Sequence, residues 1–471
     1  MADQTYQLHA FFFPFMAQGH MMPMIGMAKL FASRGIRSTI INTPSNASLC
    51  EKSIRKSKNI ELLLIKFPAV EVGLPPGCEN LNQAPTLEMQ GKIFKATTLL
   101  EQQFDELVSE HRPDFLVADM FFPWASDVAA KYGIPRFVFH GSGFFPLCAS
   151  LCLLRHQPHK QVSSDSEPFA LPDFPDEIKF TRNQIPSFIK QEVETEFIKL
   201  YRAAKESERR SYGTLVNSFY ELEPNYADHY RNVFGMRTWH IGPISLVSRD
   251  DEETYVDEHG VLNWLNSQRP NSVIYICFGS VANFDDAQLK EIAMGLEFSR
   301  QKFIWVVKRE KDVEGKENWL PEGFEKRIEG KGVIVRGWAP QLVILNHEAV
   351  GGFVTHCGWN SILEAVGAGV SMVTWPISAD QFYNEKLVIR VLKVGVPVGV
   401  QRYVQLVGDS IKKEAIGKAV KQIMNGEEAE EMRERAREFA QKARIAVELG
   451  GSSHNDLTSL IQELKSHTCR S

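Results

Sequence analysis

At 471 residues the chain exceeds one ordinary hydrophobic core, which predicts two or three domains. Its formal net charge of −5, with no basic stripe, argues against nucleic acid as a partner. No apolar run is long enough to span a bilayer, so membrane insertion is not expected.

The opening residues, MADQTYQLHAFFFPFM, combine Asp3, a short apolar run and Pro14, which fits a buried first strand and not a signal peptide. "HAFFFPF" (9–15) is that strand. "MPMIGMAKLFASRG" then places Met24, Met27, Ala28 and Phe31 on one helical face, with Gly35 as the stop. "RSTIINT" (37–43) is a second strand ended by Pro44, and "IELLLIKF" and "DFLVAD" are two more. A helix containing "ASDVAAKYG" leads into "PRFVFH". Cys148 and Cys152 stand four apart beside Leu151 and Leu153, where core packing explains them. The seven cysteines (50, 78, 148, 152, 277, 357 and 469) are scattered and odd in number, which predicts a reducing, cytoplasmic setting.

Residues 245–260, acidic and without periodicity, read as a solvated linker. The pattern then starts again: "SVIYICFGS", a helix near "DDAQLKEIAMGL", "FIWVV", "VIVRGW", "GGFVTH" and "SMVTW". From Lys412 to Leu464 the tail reads as mostly helical, broken at "GGSS" (450–453). Two parallel α/β halves around a cleft are therefore expected, with functional residues just beyond the strand ends.

"FVTHCGWNS" (353–361) is such a strand-to-helix turn. Backbone N–H groups at a helix start make a ready anion site, which Gly358 lets a ligand approach and to which His356, Asn360 and Ser361 add donors. A metal would need further ligands nearby, and Cys357 has no evident partner base. Ser361 and Glu364 also match a capping box, which competes with a binding role for both. Trp338 follows a strand and precedes Pro340, so its indole suits stacking on a flat base. Asp380 and Gln381 follow "MVTWPIS" and suit sugar hydroxyls.

The 44 residues from Trp338 to Gln381 thus contain W-A-P-Q, H-C-G-W-N-S, a Glu three residues on and a terminal D-Q. This pattern resembles the signature box of the plant UDP-dependent glycosyltransferases of small molecules, and the resemblance extends over essentially the whole chain. It implies the α/β fold called GT-B, two Rossmann-like domains with parallel sheets facing across a cleft. Residues 1–245 would bind the acceptor, 246–450 the UDP-sugar, and 451–471 would form a C-terminal helix packing back on the first domain. The resemblance further implies that Trp338 stacks on uracil, the Ala339 backbone pairs with its edge, and Gln341 and Glu364 hold the ribose. His356, Gly358, Asn360, Ser361 and Ser280 would bind the diphosphate, and Trp359, Asp380 and Gln381 the sugar. UDP-glucose is the expected co-substrate, with UDP-galactose or UDP-glucuronate as the alternative, and with no metal, no other cofactor and a monomeric chain.

In the first half, His20 follows strand one and Asp119 ends "DFLVAD". An imidazole can take the proton of an acceptor hydroxyl while a carboxylate orients it, and the Gly-His pair with an Asp about a hundred residues later matches the family pattern. That resemblance implies single displacement with inversion to a β-glycoside. Phe15, Phe121, Phe122, Phe144 and Phe145 at strand ends suit flat phenolics or terpenoid skeletons, and the local wording resembles the branch acting on phenylpropanoids, flavonoids and triterpenoids. Two departures from the usual pattern, Gly26 inside the first helix and Ser371 where Pro often stands, touch no expected catalytic role, and Gly26 is expected to bear only on the floor of the acceptor pocket. A Rossmann dehydrogenase or epimerase would carry G-x-G-x-x-G and a hydrolase G-x-S-x-G, and neither is present. A protein that binds UDP-sugars without turnover remains open; an assay of UDP release separates it.

Overall fold

The computed structural model describes residues 7–468 apart from 191–193, 248–259, 281, 283, 310–318 and 406–407. Most of the expected acidic linker, and Cys469, lie outside the described residues.

The N-terminal half contains β1 (His9–Phe13), β2 (Arg37–Asn42), β3 (Ile60–Leu64), β4 (Phe115–Asp119), β5 (Arg136–Phe139), a small hairpin of β6 (Phe169–Ala170) and β7 (Lys179–Phe180), then β8 (Gly213–Val216) and β9 (Thr238–His240). All but the hairpin pair in parallel in the order β3-β2-β1-β4-β5-β8-β9. The C-terminal half contains β10 (Val273–Cys277), β11 (Lys302–Val307), β12 (Gly332–Arg336), β13 (Val350–Thr355), β14 (Met372–Thr374) and β15 (Gly395–Pro397). These form a second parallel sheet, ordered β12-β11-β10-β13-β14-β15. Chain order reverses between β1 and β4 in the first sheet and between β10 and β13 in the second. Such reversals open crevices beyond the strand ends.

The strands read as apolar runs because helices cover both sheet faces. On β1, Phe12 meets Phe31 of the first helix at a centroid distance of 5.5 Å, while Phe13 on the opposite face stacks on Phe122 at 4.1 Å. That helix spans Gln18–Ser33 and buries Met24, Met27, Ala28 and Phe31. It begins before "MPMIGM", so His20 falls in its first turn and Pro23 inside it. Gly35, at φ +82°, ends it in a conformation that costs glycine least.

The tail is interrupted twice, not once. Helices span Lys413–Asn425, Ala429–Val447 and Ser452–Thr468. The last buries Leu457, Leu460, Ile461 and Leu464 in the same cluster as Phe12 and Trp239 of the first sheet. Asp456 accepts from the His240 backbone N–H at 2.8 Å, and Ser453 donates to the Gly242 carbonyl at 2.6 Å. Among the described residues no helix is long and apolar enough to cross a membrane.

If this packing holds the C-terminal helix down, Leu460→Ala lowers the unfolding free energy by about 2–5 kcal/mol. Leu449→Ala, at a residue 89% exposed, changes it by less than about 0.5 kcal/mol. Denaturant titration of both variants checks the contrast.

Candidate functional site

Both reversal points carry the residues singled out above. β1 and β4 are neighbours, so the helix start after β1 and the end of β4 meet. His20 Nδ1 and Asp119 Oδ2 are 2.7 Å apart, although 99 residues separate them in the chain. Asp119 is fully buried, and its Oδ1 accepts from the Phe121 N–H at 3.1 Å. The buried Arg136 guanidinium donates to the carbonyls of Asp119 at 3.3 Å and Phe122 at 3.5 Å, pinning this turn. Burial lowers the His20 pKa, but the Asp119 charge and hydrogen bond outweigh it, and the net shift is upward. With an ionised Asp119 as acceptor, Nδ1 carries the proton and Nε2 is left with its lone pair. A groove wall follows the imidazole: a Cβ on Gly141, which has φ +67°, would lie 3.4 Å from its Cε1.

Aromatic rings surround His20. Phe15 and Phe121 lie 5.6 and 5.8 Å from its ring centroid. Phe94 stacks on Phe15 at 5.3 Å and approaches Phe121 at 5.0 Å and Phe197 at 4.8 Å. The other three phenylalanines expected here point elsewhere. Phe122 stacks under the sheet on Phe13 at 4.1 Å, Phe144 faces His240 at 4.9 Å, and Phe145 faces Tyr226 at 4.8 Å. All three are fully buried, because neighbouring residues on a turn and a helix start point in different directions. Phe94 and Phe197 were missed because they stand on helices (Leu87–Thr97 and Glu196–Arg210), away from any strand end.

At the second reversal, Ser280 follows β10 and His356 follows β13. Gly279 and Gly358 let the His356 ring sit close: a Cβ on them would come within 2.6 Å of Cε1 and 2.5 Å of Nε2. Burial, then the nearby Lys308 charge, lowers the His356 pKa to about 4, so it is neutral at pH 7. The Lys308 ammonium donates to the Ser280 carbonyl. Cys357 adopts φ +66°, a strained left-handed conformation for a non-glycine residue, at the turn into the helix. Its thiol is buried and its pKa is pushed up, so it is no thiolate nucleophile.

The helix Trp359–Ala368 starts from Gly358 with no side-chain cap. The competing capping-box reading is therefore not met. Ser361 Oγ and Glu364 Oε2 instead both accept from Gln341 Nε2, at 3.1 and 2.6 Å. Burial raises the Glu364 pKa to about 7 against the pull of that bond. The Ala339 carbonyl accepts from the Gln341 N–H at 2.9 Å, and Trp338 beside it is 66% exposed.

Among the described residues, three side-chain hydrogen bonds cross the cleft. Ser142 donates to Asp380 Oδ2 at 2.6 Å. Asn360 Nδ2 donates to the Gly19 carbonyl at 2.7 Å; in a helix that carbonyl would bond to the N–H of residue 23, and Pro23 has none. The Trp359 indole donates to the Asn217 carbonyl at 2.7 Å and is only 3% exposed. The expectation that its side chain contacts a sugar is thus corrected, since the ring is consumed by the opposite half. Gln381 likewise spends its Oε1 on the N–H groups of Ile377 and Ser378, at 2.8 and 2.9 Å. Only its Nε2 remains to donate, and Asp380 is the neighbouring acceptor. Among the described residues no three His, Cys, Asp or Glu side chains converge as a metal site.

The family model described as "UDP-glucoronosyl and UDP-glucosyl transferase" matches residues 257–433. The UDP-glucose flavonoid 3-O-glucosyltransferase 7 of Fragaria ananassa is 54% identical, over 97% of this chain and 96% of that protein. The scopoletin glucosyltransferase of Nicotiana tabacum is 51% identical, over 98% of this chain and 99% of its own length. Among solved structures, Glycyrrhiza uralensis UGT73P12 complexed with glycyrrhetinic acid 3-O-monoglucuronide superposes with a TM-score of 0.92 at 41% identity, covering 99% of this chain and 97% of that one.

The uncapped helix start separates two roles for Glu364. A cap would make Glu364→Ala cost about 0.5–2 kcal/mol of stability and leave UDP binding alone. If Glu364 instead holds the ribose, as the resemblance implies, the variant binds UDP about tenfold or more weakly. Thermal melting and UDP calorimetry on one preparation decide it.

Proposed function

The chain belongs to the plant UDP-glycosyltransferases, enzymes of the GT-B fold, and from that premise we propose that it transfers glucose from UDP-glucose to a hydroxyl of a phenolic or triterpenoid specialised metabolite. Residues 1–245 hold the acceptor in this reading, and 246–450 hold the donor. The observation that carries it is the His20–Asp119 contact of 2.7 Å, facing a helix start whose Asn360 already touches the residue beside His20.

In the proposed reaction His20 Nε2 takes the proton of the acceptor hydroxyl, and Asp119 stabilises the resulting imidazolium. The acceptor oxygen bonds to the anomeric carbon as the bond from that carbon to the β-phosphate oxygen breaks. Configuration inverts from α to β, and UDP leaves with the electron pair. The N–H groups at the Trp359 helix start, with His356, Asn360, Ser361 and Ser280, meet the charge growing on the diphosphate. Gln341 and Glu364 share one face and offer donor and acceptor to the ribose, with Trp338 stacked on uracil. Phe15, Phe94, Phe121 and Phe197 give a flat acceptor an aromatic wall beside the base. The names of the flavonoid and scopoletin glucosyltransferases, at 54% and 51% identity, support a phenolic acceptor. We further read the chain as a cytoplasmic monomer needing no metal, because the helix start and His356 supply the stabilisation a cation would otherwise give.

His20→Ala then lowers turnover about 10²–10⁴-fold while UDP still binds; wild-type turnover in that variant would sink the proposal. The pH profile carries a second signature. A general base must be neutral, and the His20 pKa is raised above the ordinary 6.5, so activity falls as pH drops through that raised value. In Asp119→Asn the carboxylate that raises it is gone, so the acid limb of kcat/KM moves to lower pH. An acid limb unmoved by that substitution counts against the pair.

The donor preference follows from Asp380 and Gln381. With Gln381 Oε1 occupied, Asp380 accepts from one sugar hydroxyl and Gln381 Nε2 donates to its neighbour. Inverting the 4-hydroxyl leaves one of these groups unmet, at about 1–3 kcal/mol. UDP-glucose is expected to exceed UDP-galactose by about tenfold or more in kcat/KM, at about 1.4 kcal/mol per decade. UDP-glucuronate should be poor as well. Competition among the three donors is the assay, and a preference for galactose or glucuronate contradicts it.

A further inference from the structure

Trp359 opens the helix that faces the donor diphosphate, yet its indole is buried in the other half of the molecule. Nε1 donates to the Asn217 carbonyl at 2.7 Å, across 142 residues of chain. Its six-membered ring fills the space a side chain at Gly143 would need: a Cβ there would lie 2.5 Å from Trp359 Cζ2 and 2.7 Å from Glu223 Oε1. Gly143 has φ −88°, which any residue adopts. The glycine is therefore demanded by the indole and the carboxylate, not by the backbone.

The seat that receives the ring is itself held rigidly. Glu223 accepts from the N–H groups of Phe144 and Phe145, at 2.9 and 2.8 Å, and from Ser218 Oγ at 2.6 Å. Asn217 Oδ1 accepts from the Ile244 N–H at 3.0 Å. Each partner also adjoins a residue facing the cleft. Asn360, next to Trp359, bonds to Gly19 O at 2.7 Å, and Ser142, next to Gly143, bonds to Asp380 at 2.6 Å. An aromatic ring has few soft torsions and loses little entropy when seated, so it defines a separation better than those single polar contacts do.

We propose that the Trp359 indole, seated on Gly143 and the Asn217 carbonyl, is a positioning element that sets the separation between the diphosphate-binding helix and His20. It touches neither donor nor acceptor through its ring. It acts by holding one half against the other, where a misplacement of about 1 Å costs about 10²-fold in rate.

Trp359→Phe, Gly143→Ala and the double variant test this through kcat, the UDP dissociation constant and the melting temperature. Phenylalanine keeps a ring but lacks the N–H and the outer atoms that a Cβ at 143 would meet. Trp359→Phe should lower kcat about 10–100-fold and leave the UDP dissociation constant within about threefold, since the proposed UDP contacts lie in the C-terminal half. The double variant should recover at least threefold in kcat over Gly143→Ala alone. If Gly143→Ala is too unstable to purify, Trp359→Phe alone decides, because the Glu223 carboxylate would still meet a Cβ at 143, and a wild-type kcat in that variant overturns the seat. A kcat within twofold of wild type in Trp359→Phe, equal losses in kcat and UDP affinity, or singles that simply multiply would also overturn it. The inference rests on the proposed reading of His20. An active His20→Ala would remove that reading, whereas a normal kcat in Trp359→Phe removes only the positioning role.

Discussion

The hydrogen bond between His20 and Asp119 is the contact on which the proposed chemistry depends, and it exists because β1 and β4 are adjacent. Their register, running from Ala10 opposite Phe115 to Phe13 opposite Ala118, brings the helix start after β1 to the end of β4. The sheet order reverses there, so no crossover helix covers the crevice. Burial alone would depress the imidazole pKa. The fully buried carboxylate reverses the sign, giving the basicity that proton abstraction from a hydroxyl requires. Arg136 stands behind the pair, its donors on the Asp119 and Phe122 carbonyls, so the turn carrying the carboxylate is held from below.

The second sheet repeats the device for the opposite charge. Ser280 and His356 flank its own reversal point, and the strained turn at Cys357 directs a helix start toward the cleft. The two crevices are then joined by contacts of different character. Pro23 withholds an N–H from the Gly19 carbonyl, and Asn360 supplies the missing donor from the facing half. Asp380 is met by Ser142. In the proposed chemistry both Asn360 and Asp380 have donor atoms to bind, so these polar contacts stand where ligand hydrogen bonds would form. The Trp359 indole, by contrast, has no such second task.

Much of this was legible in the residues because strand ends are legible. Buried parallel strands are apolar on both faces, and "HAFFF", "FLVAD" and "VGGFVT" are recognisable whatever packs against them. A functional side chain just beyond such a run has a known place in the fold. Side-chain direction is a different matter. Phe122, Phe144 and Phe145 are at strand ends by position but turn into cores formed by distant segments. Ser361 and Glu364 match a cap in spacing, yet Gln341, about twenty residues upstream, takes both. Gln381 bends back to its own turn. Trp359 sits in the most recognisable motif of the chain and still points into the other half, toward a glycine more than two hundred residues earlier. Pro23 was the one local signal of a cross-cleft contact, since a proline within a helix leaves a carbonyl to be satisfied elsewhere.

The most direct test is a crystal structure of the enzyme with UDP and a phenolic acceptor, read for one distance. A His20 base places the acceptor hydroxyl oxygen within hydrogen-bond reach of His20 Nε2, about 2.6–3.2 Å, with His20 Nδ1 still on Asp119. An acceptor hydroxyl seated in the cleft but bonded to another group, with His20 Nε2 beyond reach, would contradict it.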